Sequence, residues 1–364
     1  MALRISTSPI TASLKHQHQN RKKTYPDASS SPLRSAEEFA SRLGFELAAA
    51  DLERLFRWTP PPPSAAGGIP LRVAYQGSRG SYSQEAAAAA FPSSAGAAFP
   101  CHHMEAAFAA LEDLSADRAV VPLENSLDGP IGRNLDLLLR HPAVVISGEL
   151  LLPVNHCLLA LPSSHPSSLR RVVSHPQALA HCRRRLAALD IAVEEVPCAA
   201  DAARIVAEEG IADTAVIGSR MAAREFGLRV LEENLQDQAE NVNRFLQLAL
   251  GPTPPPITGR EKTTLALSLL NGPSDLFLAM RILESRGVKV TRVDHRPNRS
   301  NPVRVVVEED KEDKGIRQER VYMDYVYILD VEGNRSDVES ALARLEEISG
   351  SLRVLGSYKC TYKL

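Results

Sequence analysis

Between two proline-rich stretches, Thr59 to Pro70 and Gly251 to Lys262, the chain alternates strand-like and helix-like runs. Consecutive prolines lack amide donors and favour extended backbone, so both stretches read as linkers. In the first block, LRVAYQ (Leu71 to Gln76), DRAVVPLE and AVVISGEL have the apolar character of buried strands. SYSQEAAAAAF and PIGRNLDLLLRH carry helical spacing between them. A second block repeats the scheme with Pro153 to Leu161, RRVVS, IAVEEV and TAVIG, and with helices starting near Pro176, Ala199 and Ser219. Alternation of this kind implies α/β sheets with ligands at the carboxyl ends of strands. Two such blocks in tandem predict a two-lobed α/β domain over 71–250 with a cleft between the lobes.

After the second linker the rhythm changes. TTLALSLL, a helix from Ser274 to Ser285, VKVTRVD, PVRVVV, VYMDYVYILDV, a helix from Ser336 to Ile348 and SLRVLGSY follow in order. That is βαβ, an additional strand, then αβ, a ferredoxin-like α+β arrangement over 263–360. The charged run Glu308 to Arg320 interrupts it and reads as a solvated hairpin loop.

Composition excludes several classes of function. The 42 Lys plus Arg nearly balance the 44 Asp plus Glu, for a formal net charge of −2. A nucleic-acid binder would carry a basic stripe instead. No apolar run approaches the length of a membrane span. The five cysteines, Cys101, Cys157, Cys182, Cys198 and Cys360, form no CxxC pair, so neither a metal knuckle nor a disulfide framework is indicated. Met1 to Ser35 is different again: rich in Ser and Thr, basic, with Asp27 its one acidic residue. It has the make-up of an organelle transit peptide. Ala36 to Trp58 has helical spacing, and the transit segment with the first linker makes up 1–70.

Four loops stand out as carriers of chemistry. Gln76, Gly77, Ser78, Arg79, Gly80, Ser81, Tyr82 and Ser83 run from a strand into a helix, offering close backbone approach and donors to an anion. Pro122, Leu123, Glu124, Asn125, Ser126, Leu127, Asp128, Gly129 and Pro130 bring polar groups to a strand end, with Glu124 a candidate acid, base or orienting acceptor. Ser174, His175, Pro176 and Gln177 form a third loop, followed by His181 and Cys182. In the fourth, Glu240 to Phe245, Arg244 either pairs with a protein carboxylate or clamps one on a substrate.

Together, VAYQGSRGSYSQEAA, PLENSLDGPIGRNLDLLLRH, SHPQALAHC and ENVNRFLQLA resemble the prephenate and arogenate dehydratases in order and spacing. GPSDLF, DHRPNRSNP and LRVLGSY resemble those enzymes' ACT regulatory domain, and the transit-like start resembles the plastid form of plants. The resemblance implies a two-lobed, periplasmic-binding-protein-like catalytic domain. It implies a lyase that dehydrates and decarboxylates arogenate to phenylalanine, or prephenate to phenylpyruvate, without metal or organic cofactor, in the plastid stroma. Glu124, Asn243, Arg244 and Phe245 are the catalytic candidates it gives. Gly77, Gly80, Ser81, Tyr82, Ser83, Asn125, Ser126, Ser174 and Gln177 are its substrate-binding candidates. It further implies phenylalanine as allosteric effector at Gly272, Pro273, Ser274, Asp275, Leu276, Asp294, His295, Arg296 and Pro297, in a homodimer or tetramer.

The sequence departs from the family pattern at several places. Asn243 stands where the family has the threonine held to protonate the leaving group, Arg79 replaces a proline, Gly132 a histidine, and DHRP stands for ESRP. An amide donates a hydrogen bond but is a poor proton source. A catalytically impaired paralogue, acting as a phenylalanine-binding regulatory subunit, is the second expectation. A solute-binding module without chemistry is the third.

Overall fold

The structure is a computed structural model that describes residues 70–251, 261–309 and 317–359. The transit-like segment, the 36–58 helix, nearly all of the first linker and most of the second lie outside the described residues, as does the middle of the charged run. In chain order the first lobe contains β1 (Val73–Gln76), α1 (Tyr82–Ala90), β2 (Ala98–Cys101), α2 (Met104–Glu112), β3 (Arg118–Asn125), β4 (Gly129–Pro130), α3 (Gly132–Arg140) and β5 (Val144–Pro153). The second lobe contains β6 (Cys157–Ala160), β7 (Arg171–Ser174), α4 (Pro176–His181), α5 (Arg183–Leu189), β8 (Ala192–Glu195), α6 (Ala199–Glu209), β9 (Thr214–Gly218), α7 (Arg220–Phe226) and β10 (Arg229–Glu232). The chain then returns to the first lobe as β11 (Val242–Leu250).

The first sheet has the order β2-β1-β3-β11-β5, with β4 paired to β3, and the second the order β10-β6-β9-β7-β8. Strands β1, β2 and β3 run parallel, whereas β11 is antiparallel to both β3 and β5. The returning strand therefore sits inside the first sheet. Two chain crossings join the lobes, after Pro153 and before Val242.

Local sequence explains the cleft-facing turns. Gly77 and Gly80 have φ of +107° and +81°, which side-chain-bearing residues rarely adopt. A Cβ on Gly80 would also stand 2.8 Å from Phe226 Cε2 across the lobe boundary. Ser81 then caps α1 by accepting from the Gln84 N–H, and the alanine run propagates the helix to Phe91 and Pro92. His175 caps α4 in the same way, accepting from the Gln177 N–H with Pro176 in the first turn. Helix α6 ends on Gly210 in the left-handed region.

The third region comprises β12 (Glu261–Leu269), α8 (Leu276–Glu284), β13 (Lys289–Pro297), β14 (Val303–Glu309), β15 (Arg317–Met323), β16 (Tyr325–Gly333), α9 (Arg335–Glu346) and β17 (Ser349–Lys359). Its sheet has the order β13-β16-β12-β17, the ferredoxin-like arrangement. Among the described residues, strands β14 and β15 pair only with each other, as a separate ribbon. The run VYMDYVYILDV is thus two strands, broken at Asp324. That buried carboxylate accepts from Asn298 Nδ2 at 2.8 Å and pairs with Arg304 at 3.0 Å.

The ferredoxin-like sheet packs on the first lobe. Ala266, Ile328, Leu355 and Tyr358 share one apolar core with Leu138, Ile146, Leu246 and Leu248. The approach is close: a Cβ on Gly356 would lie 2.2 Å from the Ile146 carbonyl oxygen. The second lobe has its own cores on both faces of its sheet.

Candidate active site

A cleft of about 480 Å³ lies between the lobes. Of the residues singled out in the sequence, Gly77, Gly80, Ser81, Tyr82, Ser83, Asn125, Gln177, Asn243 and Phe245 line it. They come from the turn into α1, the end of β3, the start of α4 and the start of β11. Ser78, Asp128, His156, His175, Cys198, Ala199 and Ser219 complete its polar rim and the second-lobe wall.

The lobes touch along one side of this cleft. Ser78 Oγ donates to Asp201 Oδ2 at 2.8 Å, and Ser219 Oγ donates to the Gly80 carbonyl at 2.7 Å. Gln84 Nε2 donates to Glu225 Oε2 at 3.2 Å, and Arg79 pairs with the same carboxylate.

Four proposed site residues are placed elsewhere. Successive side chains on a strand alternate between faces, so with Asn243 and Phe245 on the cleft, Arg244 points to the opposite face of the sheet. There it is buried among carboxylates: Glu149 at 2.7 Å, Asp330 at 2.7 Å and Glu124 at 3.0 Å, with Tyr358 Oη at 3.3 Å. Glu124 is held from its other side by Arg292 Nε at 2.8 Å. Arg244 as a substrate clamp and Glu124 as an acid in the cleft are therefore corrected: both join the first lobe to the ferredoxin-like sheet. Ser126 bridges the chain crossing, donating to the Glu240 carbonyl and accepting from the Val242 N–H, each at 2.9 Å. Ser174 is fully buried and donates to the Ile217 carbonyl at 2.7 Å, tying β7 to β9.

A connected network fixes the polar face of the cleft. Asn125 Oδ1 accepts from the backbone N–H groups of Leu127 at 2.8 Å and Asp128 at 3.1 Å. Its Nδ2 must then be the donor, and it reaches Asn241 Oδ1 at 2.7 Å and Asn243 Oδ1 at 2.9 Å. Asn243 consequently turns its NH2 group away from Asn125. Asn241 in turn presents Nδ2 to His181 Nδ1 at 3.0 Å, which places the proton of neutral His181 on Nε2, 2.9 Å from Asp128 Oδ2.

His156 Nε2 lies 3.3 Å from His181 Nδ1, and His156 Nδ1 lies 2.9 Å from the hydroxyl of Tyr82, which also donates to the Asn155 carbonyl at 3.2 Å. Burial pulls His156 from 6.5 down to about 4. Burial raises the Tyr82 phenol well above 10. Both stay neutral in the physiological range. The Cys198 thiol is pushed up to about 12 by burial, which leaves no thiolate in the cleft.

No Lys or Arg lines the cleft among the described residues, and Asp128 is its one Asp or Glu. The N-terminal turns of α1 and α6 face it instead, through Ser81 to Ser83 and Cys198 to Ala200. Helix N-termini carry unsatisfied N–H groups and a partial positive charge, which suit a carboxylate. Among the described residues no group of three or more His, Cys, Asp or Glu is arranged to hold a metal, and no helix is long and apolar enough to cross a membrane.

The suggested regulatory residues lie in the ferredoxin-like region. Gly272 to Asp275 form a short turn before α8, with Asp275 Oδ2 accepting from Asn271 N at 3.0 Å. Asp294 accepts from Arg292 at 2.6 Å, Arg296 grips Asp136 of α3 with bonds of 2.7 and 3.0 Å, and His295 stands edge-on to Tyr325. Leu276 begins α8 and Pro297 ends β13.

Comparison with known proteins agrees with this architecture. The prephenate dehydratase family model matches residues 73–252. The chain is 42% identical to arogenate dehydratase/prephenate dehydratase 2, chloroplastic, of Arabidopsis thaliana, over 81% of this chain and 74% of that one. Among solved structures it is similar to a prephenate dehydratase of Arthrobacter aurescens in complex with L-Phe. That match has a TM-score of 0.67 and 29% identity, covering 79% of this chain and 89% of that one. It is also similar to GqqA, described as a novel type of quorum quenching acylase, with a TM-score of 0.68 and 29% identity over 79% and 98% of the two chains. With its matching dehydratase segment ending where β11 completes the first sheet, and with 42% identity to a plant relative over most of both chains, the chain belongs to the prephenate dehydratase family.

Proposed function

We propose that the chain is a decarboxylating dehydratase of phenylalanine biosynthesis, converting arogenate to phenylalanine and able to take prephenate to phenylpyruvate. The reaction breaks the ring C–O bond and the bond to the ring carboxylate. The electron pair of the latter enters the ring, carbon dioxide departs, and hydroxide leaves with one proton as water. The enzyme must hold two carboxylates in register and stabilise the departing oxygen.

The observation that carries this reading is the convergence of Ser81, Tyr82, Ser83, Asn125, Gln177, Asn243 and Phe245 on one cleft faced by two helix N-termini. The α1 and α6 termini hold the substrate carboxylates, taking the role first given to Arg244. The NH2 group of Asn243, oriented by Asn125, donates to the departing hydroxyl, and the proton itself comes from water. Phe245 and Tyr82 supply apolar walls for the ring. The relatives named chloroplastic support a plastid location. Phenylalanine is the proposed effector, bound in an ACT-type domain over 263–360 with Gly272 to Leu276 and Asp294 to Pro297, in a homodimer or tetramer. The L-Phe complex of the Arthrobacter relative supports phenylalanine as a ligand.

A second reading follows from one feature, the amide at residue 243. Because its oxygen accepts from Asn125, only a weakly acidic NH2 group is left for the substrate. A chain that binds but scarcely turns over would act as a phenylalanine-binding regulatory subunit. Asn243→Thr separates the two. If the wild type turns over, the variant should raise kcat by up to about 10²-fold, since a positioned proton donor contributes about 10²- to 10⁴-fold. A silent wild type with an active variant makes a regulatory or binding role the better reading.

A further inference from the structure

The cleft contains a charge that the dehydration itself does not need. Asp128 brings a half-exposed carboxylate into a pocket whose described lining has no Lys or Arg. Its Oδ2 is occupied, accepting from Gln177 Nε2 and lying 2.9 Å from His181 Nε2. Its backbone is pinned as well, through the Asp128 N–H to Asn125 Oδ1. Oδ1 of Asp128 makes no hydrogen bond or ion pair among the described residues. The carboxylate is therefore held by one oxygen and offers the other.

His156 nearby is kept uncharged by burial, and His181 brings Nε2 to 2.9 Å from Asp128 Oδ2 while Asn241 occupies its other nitrogen. A lone carboxylate repels an anion in a pocket of reduced dielectric and favours a cation there. The two candidate substrates carry the same pair of carboxylates and differ at one position, an α-ammonium in arogenate and a ketone in prephenate. Only the former has a group that Asp128 can pair with, by a charge-assisted hydrogen bond.

We infer that Asp128 is a specificity-determining residue that pairs through Oδ1 with the substrate α-ammonium and selects the amino acid over its keto acid. The inference rests on the dehydratase reading and names its preferred substrate. Gln177, His181 and Asn125 act as positioning residues for this carboxylate. Discrimination arises twice: the ammonium gains a partner, and the dianionic keto acid meets a repulsive charge.

The test compares kcat/KM for arogenate and prephenate in the full chain and in its Asp128→Asn and Asp128→Ser variants. Asparagine keeps the size of the side chain and an acceptor oxygen but removes the charge. Serine removes the contacts to Gln177 and His181 too. The wild type should prefer arogenate. Both variants should lower the arogenate-to-prephenate ratio by about ten- to hundredfold, the worth of a hydrogen bond to a charged group. That loss should appear in KM for arogenate, with kcat/KM for prephenate falling far less or rising. Parallel losses for both substrates, or an unchanged ratio, would overturn the inference and leave Asp128 a scaffold for Gln177 and His181. If the wild type turns over neither compound, the dehydratase reading fails separately. Calorimetric titration of each compound then decides the matter: tighter arogenate binding, lost in Asp128→Asn, sustains the charge selection, and equal affinities refute it.

Discussion

At residue 156 a ring nitrogen determines how the protein responds to acid. His156 is buried between Tyr82 and His181, and burial brings it from 6.5 to about 4. Between those values the unfolded chain binds a proton that the native state excludes, so stability rises with pH across that window. The contribution is complete above about pH 6.5 and is lost as pH falls toward 4, by roughly 3 kcal/mol in all. Urea unfolding of the wild type and of His156→Gln at stepped pH should show their stability difference narrowing toward pH 4. A difference that stays level would mean that the ring is not held neutral. Neither His156 nor its partner Tyr82 could be linked from sequence, since 74 positions separate them. His181 and Asp128 were visible as motif members, but their orientation depends on Asn125, whose carboxamide is pinned by the backbone of its own turn.

At the scale of the strand, β11 shows what periodicity leaves open. Asn243, Arg244 and Phe245 stand together in sequence, and nothing in that run says which alternate positions face the cleft. The phase is set by pairing, Asn243 opposite Asn125 and Arg244 opposite Glu124, and by the ferredoxin-like sheet covering the far face. Arg244 thereby anchors an ionic cluster in which Lys262 also holds Glu149 at 2.9 Å and Thr264 donates to Asp330 at 2.7 Å. Removing one partner from a buried set strands the opposite charges, at about 3–5 kcal/mol. Arg244→Ala should therefore lower stability to denaturant by about that amount. Substrate affinity measured below the unfolding transition should stay within about twofold, well under one hydrogen bond's worth. A selective loss of affinity at unchanged stability would return Arg244 to the cleft. Other elements were hidden for local reasons. Strand β2 is short, lies on the sheet edge and contains Pro100, a residue that spoils a strand signal. The α2 run MEAAFAALE follows it within three residues, so the pair does not read as a unit.

For the whole molecule, the strand and helix alternation was enough to place two sheets in tandem, because buried strands and amphipathic helices announce themselves locally. The strand-end loops then converge as α/β geometry requires. The docking of the ferredoxin-like sheet was not legible, because it depends on contacts between distant positions. Gly356 against Ile146, Arg296 on Asp136 and Arg292 on Glu124 join residues more than 150 positions apart. Asp294, in the segment proposed to bind phenylalanine, holds Arg292, which holds Glu124 beside Asn125 at the end of β3. An effector can bias the cleft along this path only by binding one of its states better. Each of these relations serves one event, dehydration in the cleft. A time course of product formation by the purified full chain, supplied with arogenate or with prephenate, tests that most directly. Phenylalanine should accumulate from arogenate, with one carbon dioxide released per molecule, faster than phenylpyruvate from prephenate. Absence of both products from the wild type, with a folded protein in hand, would contradict it.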